Sequence, residues 1–326
     1  MPDSGVTLLQ TVATLLAGFA LFRFWRAIAT RGVGVGLIAA GFALRSLGGA
    51  AAFIVSWLEL PLGRSLQVGN GLWFYAIDAR GYAGNADAWI LGGAGDVLLP
   101  DRSLASYLFV QLVAICRSLF GPVHSASLLI NLFAYLGAAY VIVSWVGSGD
   151  TRRERIGIAT LAAMALMPSW VLWSLQPLKD TLFIALVLLF LFGTDRWMSI
   201  WREGEPRGAA LLNAAAVCWL ALHAIGGIRW YYACLAWMLW LPAAAWGGLE
   251  LRRHRARFWL ASILLFGILA QAVVLNLPVG LAQGNRQLLE VPAWLSGEVE
   301  ESRARFVTEY ARRAHRVEAA RRARAA

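Results

Sequence analysis

Apolar residues in this chain run in long unbroken stretches, not at the short helical spacing of a soluble amphipathic element. Eight such stretches, at 6–22, 33–58, 125–147, 156–175, 181–194, 209–228, 230–249 and 258–281, are separated by short polar breaks. A helix needs roughly 20 apolar residues to cross the hydrocarbon core of a bilayer. The pattern therefore predicts an all-α, polytopic transmembrane helical bundle with about eight spans over residues 1–281. The fifth stretch is short, so Lys179 and Asp180 before it, and Asp195 and Arg196 after it, are expected close to the membrane surface.

One further apolar run, 104–120, decides the topology, because counting it as a span would invert everything that follows. We read it as one or two helices lying on the membrane interface, inside a long external loop at 59–124. Beyond the bundle, residues 282–326 form a charged tail whose helical repeat places Val299, Phe306, Tyr310 and Val317 on a narrow stripe.

Arginine sets the orientation. The breaks after spans one, three, five and seven hold thirteen basic residues (Arg23, Arg26, Arg31; Arg152, Arg153, Arg155; Arg196, Arg202, Arg207; Arg252, Arg253, Arg255, Arg257), against six in the opposite connections. The richer side is expected in the cytoplasm, with the other face external. Trp57, Trp145, Trp173, Trp230, Tyr231, Trp246 and Trp259 fall near predicted span ends, as an interfacial belt requires.

Composition strengthens this picture: 59% of residues are hydrophobic and 15% charged, a balance foreign to soluble domains. The net charge of +10 resides in loops and tail, so it does not form the single basic face of a nucleic-acid binder. Cys116, Cys218 and Cys234 are scattered and lack the spacing of a zinc site. No phosphate-binding glycine loop, HExxH or GxSxG is present.

Candidate chemistry collects on the external side. The loop sequence WFYAIDARGYAGNADAW, the connection PSWVLWSLQPLKDT and the hairpin HAIGGIRWYY together offer carboxylates, cations and aromatic surfaces. That inventory suits a lipid-linked anionic sugar donor: a base must take the acceptor's proton, and cations must stabilise the departing phosphate. A phosphate leaves as a stable anion, so a single carboxylate suffices where a glycosidase needs two. Asp78, among Trp73, Phe74, Tyr75 and Tyr82, is the candidate base, with surroundings expected to be partly desolvated; a solvated loop aspartate or a helix cap is the plainer reading. Asp87, Asp96 and Asp101 compete with it in the same loop.

Lys179 is the only lysine beside 28 arginines, which suggests a position that needs a compact ammonium. Phosphate contact competes there with simple snorkelling, while Asp180 can cap span five. Arg229, behind Gly226 and Gly227 and ahead of Trp230, Tyr231 and Tyr232, suits either bidentate phosphate recognition or interfacial anchoring. His223 either lines the same site or is a packed histidine. Arg45, near the middle of span two, must face protein or water, since an arginine there costs about 3 kcal/mol on insertion scales. Gly41, Gly48 and Gly49 around it allow close helix approach, so packing, a buried acceptor and a donor phosphate all remain open to it. Asn131, Asn213, Gln271 and Asn276 read as glue between helices.

Three stretches carry a resemblance: Asp78-x-x-x-Tyr82 in the external loop; Pro168-Ser169 through Trp173-Ser174 to Leu178-Lys179-Asp180 before an apolar helix; and Ile228-Arg229-x-Tyr231. Over roughly residues 65–235 they resemble the membrane-embedded GT-C glycosyltransferases, in particular bacterial relatives of the dolichyl-phosphate-mannose protein mannosyltransferases, family 39. The resemblance implies a catalytic aspartate in the first external loop, here Asp78, interface-lying helices in that loop, and a polyprenyl-phosphate sugar donor bound from within the bilayer. The match departs in its chain, shorter than is common for that family, and in meeting the aspartate loop after two spans.

The expected function is sugar transfer from a polyprenyl-phosphate-linked donor to an external glycan, lipid or protein acceptor. Asp78 would act as base, Lys179 and Arg229 would hold the phosphate, Tyr82 and Tyr231 would shape the sugar site, and Asp180, Arg45 and His223 would line it. A divalent metal, the sugar and the acceptor are not specified by the sequence. The alternatives are a polysaccharide polymerase or ligase using lipid-linked glycans, a transporter or flippase, and a non-catalytic scaffold for envelope assembly. Against transport, no span interior holds the carboxylate that ion coupling usually demands.

Overall fold

The computed structural model describes residues 4–121, 124–146, 151–203, 208–249 and 255–281. The charged tail, Arg207, Arg252 and Arg253 lie outside the described residues. The chain is a polytopic helical membrane bundle. Its spans are α1 (Ser4–Ala29), α2 (Val35–Trp57), α6 (Leu128–Val146), α9 (Asp180–Arg202), α10 (Gly208–Ile228), α11 (Trp230–Leu249) and α12 (Arg255–Val274). An eighth crossing is the bent pair α7 (Thr151–Leu166) and α8 (Pro168–Ser174). Between α2 and α6 lie a hairpin of β1 (Gln67–Gly69) and β2 (Leu72–Trp73), then α3 (Ile77–Gly92), α4 (Ala94–Leu98) and α5 (Tyr107–Phe120).

The hairpin turns at Asn70-Gly71, both with positive φ, the geometry that an Asn-Gly pair favours in tight hairpins. With 14 residues, α5 is about 21 Å long, short of the roughly 30 Å hydrocarbon core. Both of its ends meet the same end of the bundle. Ser106 precedes it and bonds to Ile228 at the end of α10, and Gly121 follows it beside Gln10, near the start of α1. It therefore lies across that face, burying Phe109, Val110, Val113 and Ala114.

Two span boundaries differ from expectation. The fifth span continues past Asp195 and Arg196 to Arg202. The Asp195 carboxylate accepts a hydrogen bond from Trp145 Nε1 at 2.9 Å, which lets it stay on the helix. The fourth span is broken, because Pro168 supplies no N–H and Met167 is extended (ψ 118°), as a residue before proline prefers. The axis turns by 56° there.

That break creates a debt of hydrogen bonds in a medium without water. The Met164 carbonyl would take its bond from residue 168, and residue 168 is proline. Arg45 supplies the missing donors: Nη2 donates to Met164 O at 2.6 Å, and Nη1 to Ala165 O at 3.3 Å and to Gly41 O at 3.0 Å. Its guanidinium lies 4.2 Å from the centre of the Tyr135 ring, and the residue is 3% exposed. Gly41 makes the approach possible, since a Cβ there would stand 2.1 Å from the Tyr135 hydroxyl. Asn131 acts similarly on α6, donating to Ser174 O and Gln176 O at 3.2 and 2.6 Å.

Two apolar cores hold the bundle together. One joins α9, α10, α11 and α12 around Trp197, Trp201, Trp240 and Phe258; the other joins α1, α2, α6 and α7 around Tyr135, Leu136, Ile142 and Leu161. Replacement of Arg45 by methionine should lower stability by about 2–3 kcal/mol, since it strips buried carbonyls of charged donors. The thermal unfolding midpoint of the detergent-solubilised variant checks this; an unchanged midpoint contradicts it.

Candidate functional site

Four connections converge at one end of the bundle: the start of α3, the residue before α5, the link from α8 to α9 and the turn from α10 to α11. The α8–α9 link is held firmly. Besides the bonds from Asn131, Gln176 Nε2 donates to Gly71 O at 3.3 Å, and Leu178 is buried against Leu72, Ala76 and Ala79. This small core sets the first turn of α3, which carries Asp78, beside Lys179.

Lys179 is half-buried. Its ammonium donates to Ser106 Oγ at 2.7 Å and lies 5.5 Å from the centre of the Tyr82 ring. Ser106 is 2% exposed and sits in the left-handed region (φ 61°), a conformation disfavoured for a residue with a Cβ. Its hydroxyl donates to Ile228 O at 3.0 Å, so one side chain joins the start of α5, the ammonium and the α10–α11 turn. Gly227 lets α10 come this close, because a Cβ there would stand 2.7 Å from Leu108.

Arg229 fills the turn. Its Nη2 donates to Asp180 Oδ1 at 2.5 Å and its Nη1 to the Tyr231 hydroxyl at 3.3 Å, and its guanidinium lies 5.2 Å from the Phe183 ring centre. Asp180 opens α9, where a carboxylate also complements the helix dipole. Tyr82 packs edge-on to Phe109, with ring centres 5.1 Å apart.

These groups are near enough to shift one another's protonation. Burial, then the charges of Asp78 and Asp180, pushes the Tyr82 hydroxyl far above its usual range, so it stays protonated. Burial, then the positive charge of Arg229, pulls the Lys179 ammonium down from 10.5, with Asp180 and Asp78 opposing. Burial also works against the Arg229 cation, but its bonds to Tyr231 and Asp180 outweigh that and raise it. Asp78, Tyr82, Lys179, Asp180, Arg229 and Tyr231 thus form one electrostatic cluster.

Two of the competing carboxylates have other partners, while Asp96, exposed on α4, makes neither an ion pair nor a hydrogen bond among the described residues. Asp87 pairs with Arg117 at 2.7 Å, and Asp101 accepts from the backbone and hydroxyl of Ser103 at 2.9 and 2.8 Å. Asp78 makes neither an ion pair nor a hydrogen bond among the described residues. It is exposed, which corrects the expected partial desolvation: the aromatic residues before it turn to other contacts, Trp73 Nε1 donating to Ala52 O and Phe74 facing outward.

Two other expected members stand apart. The donors of Arg45 go to the carbonyls at the α7–α8 break, and it meets the cluster only through a cavity of about 20 Å³ that Asp180 also lines, room for a single water. His223 stacks on Trp219, with ring centres 5.3 Å apart, and contacts Asn276 Nδ2 at 3.3 Å; Asn276 Oδ1 accepts from the Tyr107 hydroxyl at 3.0 Å. That forms a neighbouring polar group, joined to the cluster through the chain at Ser106-Tyr107 and along α10 to Arg229. The sequence reading missed Ser106; a serine just ahead of an apolar helix marks a cap, but nothing in LASY announces its backbone conformation or its ammonium partner.

Chemically, the cluster offers an anion two partly buried cations, Lys179 and Arg229. Among the described residues Lys179 has only a neutral hydroxyl at bonding distance, and Arg229 has a single carboxylate. Since the folded chain releases the Lys179 proton before the unfolded chain does, its contribution to stability is complete above pH 10.5 and is lost as pH falls through the lowered folded-state value. The same shift makes anion binding weaken on the alkaline side at lower pH than a free lysine would impose. Titration of inorganic pyrophosphate binding against pH should show this, and Lys179→Arg should move that alkaline limb upward. No family model matches the chain, and neither a curated protein nor a solved structure matches it, so the chemistry of this cluster alone carries the functional conclusion.

Proposed function

We propose that the protein is a membrane glycosyltransferase that moves a sugar from a polyprenyl-phosphate-linked donor to a glycan, lipid or protein acceptor on the non-cytoplasmic side of a bacterial inner membrane. The observation that carries this reading is the convergence of an unpartnered carboxylate, Asp78, with the cations Lys179 and Arg229 at one end of a membrane bundle. A phosphate on a lipid reaches such a place laterally, from the bilayer.

Orientation supports the face. Among the described residues the opposite end holds Arg23, Arg26, Arg31, Arg152, Arg153, Arg155, Arg196, Arg202, Arg255 and Arg257, while the cluster end holds Arg64, Arg80, Arg102, Arg117, Lys179 and Arg229. The excess belongs in the cytoplasm, which leaves the cluster outside.

In the proposed reaction, the exposed Asp78 carboxylate takes the proton of the acceptor hydroxyl as its oxygen bonds to the anomeric carbon. The bond from that carbon to the phosphate oxygen breaks, and its electron pair leaves with the phosphate. Lys179 and Arg229 stabilise the charge that grows there, where partial burial makes each contact worth more than in water. Asp180 holds Arg229 in place beforehand and gives way to the phosphate. Tyr82 and Tyr231 border the space for the sugar.

In a reconstituted assay with the correct donor, Asp78→Asn should reduce transfer by about 10²–10⁴-fold and leave donor binding intact. Lys179→Ala and Arg229→Ala should instead raise the donor KM. Undiminished transfer by Asp78→Asn overturns the proposal.

A further inference from the structure

On the other side of α5 a long apolar cleft of about 510 Å³ runs down the bundle between α1, α5, α6 and α9. Leu112, Cys116 and Phe120 of α5 cover one end of it. Along α6 it extends from Leu129 to Val141, about 18 Å at the helical rise, more than half the thickness of the hydrocarbon core. Its lining is apolar apart from one hydroxyl, that of Tyr140, at the end away from α5.

That hydroxyl leads to a cation. Arg31 Nη2 donates to Tyr140 Oη at 3.1 Å, and the guanidinium lies 4.8 Å from the Tyr140 ring centre. Arg31 is exposed, in the turn between α1 and α2, and has no carboxylate at bonding distance among the described residues. Arg23 and Arg26 stand on the last turns of α1 just before it. At the α5 end, no lining residue bonds a charged group.

We propose that the cleft holds one acyl chain of an anionic diacyl phospholipid, drawn from the leaflet at the Arg31 end, with its headgroup phosphate on the Arg31 guanidinium. Size favours a lipid chain over a protein segment. A helix of that length and about 10 Å across would fill on the order of 1,400 Å³, more than the roughly 1110 Å³ of empty space between these side chains. Water is disfavoured by walls with almost no polar partner. Charge favours the anionic class: Arg31, tied to the cleft wall through a neutral phenol, meets no carboxylate among the described residues, and each arginine near a membrane surface contributes about 1 kcal/mol toward anionic lipid. This inference stands independently of the proposed transferase activity.

Native mass spectrometry of the full chain, exchanged between micelles containing phosphatidylglycerol or phosphatidylcholine, tests it. The unaltered protein should retain phosphatidylglycerol about fivefold in preference, the factor that one such arginine supplies. Gly137→Leu should abolish retention of either lipid, because a Cβ at Gly137 meets only Phe24 at 4.0 Å and the new side chain grows into the cleft. Ala185→Leu, from α9, gives the same reading should that variant fail to fold. Arg31→Gln should keep the acyl chain but bring the two lipids to near parity. Full retention by both plugged variants, no preference in the unaltered protein, or retention of a polyprenyl phosphate in place of the phospholipid each overturns the proposal.

Discussion

Inside a bilayer every backbone carbonyl without a helical partner must find a donor within the protein, and the proline that interrupts the fourth crossing leaves the Met164 and Ala165 carbonyls in that condition. The guanidinium of Arg45 meets the demand from α2, at the depth where a charged side chain is otherwise hardest to keep. Each is tolerable because of the other. The pairing fixes α2 against α7 at the break, lets α8 turn away, and delivers the chain to the connection that ends in Lys179 and Asp180.

The same constraint shapes the rest of that end of the molecule. Asn131 satisfies the carbonyls of Ser174 and Gln176, and Gln176 satisfies that of Gly71, so the α8–α9 link is tied both to α6 and to the hairpin. Ser106 then satisfies the carbonyl of Ile228 while receiving the Lys179 ammonium. A series of backbone requirements, each met by a side chain from a different element, holds α3, α5, α9 and the α10–α11 turn in register. The charged cluster is the part of this network that reaches the surface with hydrogen-bonding capacity to spare. Lys179 retains donors, Asp78 faces outward, and Arg229 is held by one carboxylate.

The two ends of the bundle therefore differ in kind. At one, charges of both signs crowd into a partly desolvated space, where burial and mutual repulsion lower the Lys179 ammonium and burial and nearby carboxylates raise the Tyr82 hydroxyl. At the other, arginines spread over short turns face outward, and Arg31 sits over the Tyr140 ring and bonds its hydroxyl at the rim of an apolar cleft. The first arrangement suits selective chemistry on a charged group. The second suits attachment to a membrane surface.

Much of this architecture is legible in the order of residues, because a span is a one-dimensional property: length and hydropathy suffice to find each crossing, although the run at 156–175 does not disclose the bend at Pro168. The interfacial placement of α5 follows likewise from its shortness and from the arginines beyond it. The sequence also singles out Asp78, Lys179, Asp180 and Arg229, since charged residues at the edges of apolar runs are few. It does not decide among Asp78, Asp87 and Asp101, because the difference between them lies in partners 30 residues away, as with Arg117 for Asp87, or in a local turn. Nor does it assign Arg45 to carbonyls 119 and 120 residues along the chain, or give Ser106 a strained backbone and an ammonium 73 residues distant. Hydropathy is summed along the chain, whereas a hydrogen-bond partner is chosen across it, by whichever backbone group the packed helices leave unsatisfied.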